Sequence, residues 1–196
     1  MTGGYYEDYL VLHSCPRPYK SDSWSCKGTD RYYQPCAETF SDKYHFIGPS
    51  IRPITEKYEK TAEKTVYISM GTNTDHFDNV PENIQIYESV DQMAVLSISD
   101  AFITHCGMNS ASEGLYFGVP LILFPQTPEQ GAVAKRTKEL GAGLMLPSIK
   151  GQDILKCVTS VIENPSYKAE VGKISGSFKK SGGIEEAVQF IEQIGI

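Results

Sequence analysis

The chain has 196 residues and a formal net charge of −6, with a pI near 5.2; no basic cluster is present to supply the footprint of a nucleic-acid or anionic-membrane partner. No apolar run approaches the roughly 20 residues of a membrane span, and MTGGYYEDYL lacks a basic segment followed by an apolar one, so neither a signal peptide nor an anchor is expected and the cytoplasm is the expected compartment. The five cysteines, Cys15, Cys26, Cys36, Cys106 and Cys157, form no CxxC pair, which points to reduced thiols rather than a disulfide framework or a zinc site.

In chain order, residues 1–46 are rich in Tyr, Ser, Pro and Asp, with Pro16 and Pro18 interrupting a stretch of poor periodicity. They read as loosely ordered, with Tyr9 to His13 as one edge strand. Ile47 to Ile54 is a Gly-Pro-Ser-containing linker, and TEKYEKTAEK is a polar lead-in. From there the pattern predicts strands at Thr65–Met70 and Asn83–Tyr87, a short helix near Asp91–Ser97, a strand at Ala101–Thr104, a helix at Ser110–Phe117, a strand at Leu121–Phe124, a helix at Gly131–Leu140 and a strand at Gly143–Leu146. Gly151 to Ile162 and Pro165 to Ile194 are largely helical. Strands and helices alternating at these lengths imply an α/β domain, a parallel sheet with ligands at the carboxyl ends of its strands.

The stretch Asp100 to Gln130, DAFITHCGMNSASEGLYFGVPLILFPQTPEQ, concentrates the chemistry. An apolar strand runs into His105-Cys106-Gly107 and a helix opens at Asn109-Ser110. Free backbone N–H groups and the positive end of the helix dipole meet there, and Gly107 lets a ligand approach the backbone, so the junction is suited to an anion.

These residues resemble the nucleotide-sugar signature of GT-B glycosyltransferases, in particular the macrolide-type glycosyltransferases and the plant UDP-glycosyltransferases of secondary products. The matching positions are His105, Gly107, Met108, Asn109, Ser110, Glu113, Gly118, Val119, Pro120 and Gln130. The likeness continues through IGPSI, VYISMGT, VPENIQIYESVDQMAVL and ELGAGLML, and TDRYYQPCAETFSDKY looks like the end of the family's first domain. It implies a Rossmann-like parallel sheet with flanking helices, the C-terminal half of a GT-B fold. Residues 47–196 are then the donor domain, and residues 1–46 carry a remnant of the end of the acceptor domain. It also implies a hexosyltransferase that takes a UDP- or TDP-sugar as substrate, with no cofactor and no metal. Only ten residues, Asn73 to Glu82, separate two expected parallel strands, while a crossover needs roughly a dozen or more, so one βα unit of the family pattern is expected to be absent.

Each donor-site candidate has a second reading beside the one the resemblance implies. Gly71 and Thr72 close a strand where an amide and a hydroxyl can meet phosphate, or they are a plain turn. His105 donates to a diphosphate oxygen, or packs in the core. Asn109 and Ser110 hold phosphate, or cap the helix as N-cap residues. Glu113 accepts from the two ribose hydroxyls, or closes a Ser-x-x-Glu capping box with Ser110; the flanking His-Cys-Gly and Gly-Val-Pro favour ribose. Glu129 and Gln130 correspond to the family's sugar-binding Asp-Gln pair, with Glu129 one methylene longer. Gln92 falls at the glutamine that meets ribose or base. Ser89 stands where plant members stack a tryptophan, and Asp91 replaces a proline. Tyr87, two residues before Ser89 on an expected strand, would share its face and offer a π-surface, or lie buried in the core.

No residue is assigned as catalytic base: His13, His45 and His76 lack the context of the family's acceptor-domain histidine. Three readings follow. One is a glycosyltransferase that needs an acceptor half supplied in trans; another is a non-catalytic nucleotide-sugar binding or regulatory module. The third is a ligand-free fragment that self-associates through an uncovered interdomain face.

Overall fold

The computed structural model describes residues 9–11, 26–27, 33, 44–70 and 81–193. Near the start, β1 (Tyr9–Val11), β2 (Cys26–Lys27) and β3 (Tyr44–Phe46) form a small parallel sheet in the order β1-β3-β2. The main sheet holds β4 (Val66–Ser69), β5 (Ala101–Thr104), β6 (Leu121–Leu123) and β7 (Gly143–Met145), all parallel and in sequential order. Its helices are α1 (Gln92–Ile98), α2 (Met108–Tyr116), α3 (Pro128–Glu139), α4 (Gly151–Glu163), α5 (Pro165–Lys180) and α6 (Gly183–Gln193).

The central strands are apolar on both faces, as a doubly covered parallel sheet requires. Because side chains alternate along a strand, Phe102, Leu121 and Leu123 point to one side, into a core with Leu115, Val133, Ile174 and Phe178 of α2, α3 and α5. Ala101, Ile103 and Ile122 point to the other, against Cys157 and Val161 of α4. Tyr33 also joins the first core. Its ring meets Phe178 edge-on at 5.5 Å, its hydroxyl lies 3.3 Å from Thr137 Oγ1, and its carbonyl accepts from Arg136 Nε at 2.7 Å.

One expected element is not formed. Residues 83–87 carry no strand, and Ile84, Ile86 and Tyr87 are each more than half exposed. Strands β4 and β7 are the outer members of the sheet, and residues 83–87 pair with neither. Ile84 N instead donates to Pro81 O at 2.9 Å, closing a turn. Without a strand, the shared-face argument for Tyr87 and Ser89 lapses, and the alternative of a buried core tyrosine falls too. Tyr87 is 57% exposed and stands edge-on to Tyr58 at 6.5 Å.

Candidate functional site

The carboxyl ends of β5 and β6 open onto a depression of about 480 Å³ lined by His105, Gly107, Met108, Asn109, Ser110 and Glu129. The chain passes from β5 into α2 in three residues. Cys106 makes this turn in the left-handed region at φ 66, a conformation that costs a non-glycine residue roughly 1–3 kcal/mol. Local bonds hold it there: Thr104 Oγ1 accepts from Cys106 N at 3.1 Å and Thr104 O from Sγ at 3.4 Å. Burial pushes the Cys106 thiol up to about 12, so it stays protonated and inert at neutral pH.

Gly107 is the N-cap of α2 and makes no side-chain cap bond; its carbonyl accepts from Ala111 N at 2.9 Å. Asn109 and Ser110 are therefore in the first turn and are not N-caps, which corrects the expectation from sequence. The backbone N–H groups of Met108, Asn109 and Ser110 precede the first intrahelical donor and face the depression's end of the helix. The capping box between Ser110 and Glu113 is also excluded, because both lie inside α2. Gly107 has a steric role besides. A Cβ there would sit 2.7 Å from His105 Nε2, so only glycine lets the imidazole lie over the helix start. The buried His105 Nδ1 has no hydrogen-bond partner among the described residues.

Glu113 is 7% exposed. Gln92 Nε2 donates to its Oε2 and, at 3.4 Å, lies within reach of Ser110 Oγ. The orientation of the Gln92 amide is set from behind: Tyr67 OH donates to Gln92 Oε1 at 3.1 Å, and the Tyr67 ring stacks on Phe102 at 4.9 Å. Burial raises the Glu113 carboxyl above the usual range, opposed by the Gln92 bond and the positive charge of Arg52. Burial likewise raises the Tyr67 hydroxyl, with Glu113 adding to it.

At the third strand end, Glu129 stands exposed in the first turn of α3. Gln130 already has a structural task. It completes a capping box with Thr127, its Oε1 accepting from Gln126 N at 2.8 Å and Thr127 N at 3.2 Å, while Thr127 Oγ1 accepts from Gln130 N. The capping box that is the alternative reading at Ser110 is thus found at Thr127.

Of the candidates read from sequence, His105, Gly107, Asn109, Ser110 and Glu129 meet around the depression, and Gln92 and Glu113 join it through Ser110. Ser89 is exposed and outside this group. Gly71 and Thr72 lie outside the described residues, as do His13 and His76. Tyr67, Arg52 and Asp91 were not singled out as contributors. An apolar strand position hides the hydroxyl reach of Tyr67, and nothing in the Gly-Pro-Ser-containing linker announces that the charge of Arg52 acts on Glu113.

A four-stranded parallel sheet flanked by helices is the architecture of the sugar-nucleotide donor half of the GT-B glycosyltransferases. The chain belongs to the family described as erythromycin biosynthesis protein CIII-like, C-terminal domain, which matches residues 60–192. It is similar to the "Uncharacterized UDP-glucosyltransferase YdhE" of Bacillus subtilis (strain 168), at 35% identity over 85% of this chain and 52% of the relative. The solved glycosyltransferase of kitacinnamycin superposes with a TM-score of 0.76 at 23% identity, covering 87% of this chain and 54% of that one. The spinosyn rhamnosyltransferase SpnG complexed with thymidine diphosphate superposes with a TM-score of 0.58 at 21% identity, over 66% and 36% of the two chains. The chain spans about half the length of the curated relatives it matches. Among the described residues no helix is long and apolar enough to cross a membrane.

Proposed function

We propose that this chain binds a nucleoside diphosphate hexose, with uridine or thymidine as nucleoside, and presents it for transfer to a small-molecule acceptor. The observation that carries the reading is the coincidence, at one sheet edge, of a helix start without a side-chain cap, an imidazole whose Nε2 lies over it, and a buried carboxylate held by an amide. The first pair suits a diphosphate: backbone N–H groups, Ser110 Oγ and His105 donate, and the helix dipole favours negative charge. The second suits ribose, because Glu113 can accept from two vicinal hydroxyls and Gln92 can both donate and accept. Glu129 and the amide nitrogen of Gln130 are left for the sugar hydroxyls, and Gly71 and Thr72 for phosphate. The thymidine diphosphate carried by SpnG supports the same ligand class.

Transfer also needs a general base and an acceptor pocket, which we assign to no residue of this chain; an acceptor half supplied in trans would provide both. Loss of a general base alone costs about 10²–10⁴-fold in rate. The 196-residue polypeptide by itself should therefore do no more than hydrolyse donor slowly. A labelled-donor assay with phenolic and macrolide acceptors tests this, and robust turnover would overturn it. Calorimetric titration with uridine and thymidine diphosphates and their glucose conjugates tests the binding reading directly: saturable binding supports it, and its absence for all four ligands overturns it. Self-association is the second reading. It is favoured by Ile68, 57% exposed on the outer strand β4, together with the exposed Ile84 and Ile86. Sedimentation of the purified chain across a concentration series distinguishes it.

A further inference from the structure

Residues 47–56 form a strap fastened at both ends. At the start, Ile47 is buried and its carbonyl accepts from Gly183 N at 2.8 Å. Gly48, at φ 74, lies so close to Ser181 that a Cβ would meet Ser181 Cβ at 2.8 Å. At the far end, Thr55 N, Thr55 Oγ1 and Glu56 N donate to Asp91 Oδ2 at 2.6, 2.8 and 3.1 Å. The other oxygen of the same carboxylate caps α1, Oδ1 accepting from Met93 N at 3.1 Å and Ala94 N at 3.2 Å. An N-cap needs one side-chain oxygen. The three donors on Oδ2 come from outside the helix, and a cap alone does not account for them.

The residue after Asp91 is Gln92, the first of α1, whose amide spans Tyr67, Ser110 and Glu113. We propose that Asp91 is a positioning residue for nucleotide recognition, bracing the start of α1 against the strap so that Gln92 is held in its bond to Glu113. The inference rests on the donor-site reading above. Its chemistry is specific to a carboxylate: five donors converge on two oxygens, and no neutral side chain of this size offers as many acceptor sites. The hydrogen bonds hold the Asp91 carboxyl well below the usual range, the Thr55 backbone contributing most, so the brace stays charged through mildly acid pH.

Asp91→Asn separates the two roles. Asparagine keeps a carbonyl oxygen to cap α1, but its amide nitrogen cannot accept from Thr55 and Glu56. UDP and inorganic pyrophosphate would be titrated calorimetrically into the full chain as wild type, Asp91→Asn, Gln92→Ala and the double variant, with thermal melts in parallel. The brace predicts UDP affinity lower by about three- to tenfold in Asp91→Asn, the loss of one or two net hydrogen bonds of positioning, and unchanged pyrophosphate affinity. In the Gln92→Ala background the second substitution should then add little, since coupled residues are not additive. Thr55→Val, which removes only the Oγ1 bond, should shift UDP in the same direction by less, and it carries the test if Asp91→Asn does not fold. A lowered melting temperature with UDP affinity unchanged overturns the inference, as does a fully additive double variant. Absence of UDP binding by the wild type overturns the donor-site reading and this inference with it, whereas equal binding by wild type and Asp91→Asn overturns this inference alone.

Discussion

Glu113→Gln is the sharpest test of the ribose assignment. The carboxylate lies 7% exposed in α2, with Gln92 Nε2 on one oxygen, Oε2, and the second oxygen left to accept from ribose in the proposed reading. Tyr67 OH holds the Gln92 carbonyl, so Gln92 must keep presenting NH2 toward position 113. A glutamine at 113 would have to direct its own carbonyl at Gln92 and its NH2 at the ligand, turning an acceptor into a donor where ribose hydroxyls arrive as donors. Hydrogen bonds to a charged group are worth about 1.5–3 kcal/mol. UDP and uridine should therefore weaken by roughly tenfold to a hundredfold. Inorganic pyrophosphate should bind as before, because the ribose assignment gives Glu113 no phosphate contact. The measurement is calorimetric titration of both proteins with the three ligands. Equal weakening of pyrophosphate, or unchanged uridine, would refute the assignment.

His105→Ala and Ser110→Ala should each weaken UDP by about 1–3 kcal/mol and leave uridine nearly unaffected, the reverse pattern, read in the same titrations. Gly107→Ala should lower diphosphate affinity, since the added Cβ would lie 2.7 Å from His105 Nε2 and displace the ring, and should lower the melting temperature modestly because alanine is a poorer N-cap than glycine; unchanged UDP binding would count against the imidazole's role. Acidification should weaken uridine from a pH higher than the ordinary glutamate value of 4.5 predicts, because burial raises Glu113 and a protonated carboxyl accepts less well. The contribution of the same group to stability runs the other way: a raised folded-state pKa means the folded chain binds the proton more tightly, so its share of stability is full below the unfolded value and is lost as pH rises through the folded one. Glu113→Gln should abolish both trends, which uridine titration and thermal melts carried from acid to neutral pH would record.

Much of the architecture is local in origin and was legible in the residues. The apolar runs at Ala101–Thr104 and Leu121–Phe124 read as strands because four or fewer apolar residues between turn signals are too short for buried helices, and strands form at Ala101–Thr104 and, one residue shorter than expected, at Leu121–Leu123. The helix after His105-Cys106-Gly107 and the cluster of polar groups at one sheet edge follow from the order of elements alone, since parallel strands bring their carboxyl ends together. Other features depended on partners distant in the chain. Residues 83–87 alternate like a strand but form none, because a strand exists only where a neighbour receives its ladder bonds. Ser-x-x-Glu at 110–113 and Thr-x-x-Gln at 127–130 are equivalent as capping patterns. Only the start of α2 at Met108 decides that the first is not a cap and frees Glu113 to meet Gln92. The stacking of Tyr67 on Phe102, its bond to Gln92 and the double grip of Asp91 on strap and helix each join segments far apart in sequence. The sequence alone determines which chemical groups gather at the sheet edge, through periodicity and strand polarity. Only the packed structure decides which lone pair each group faces, because hydrogen-bond direction is set by neighbours that the chain order does not place together.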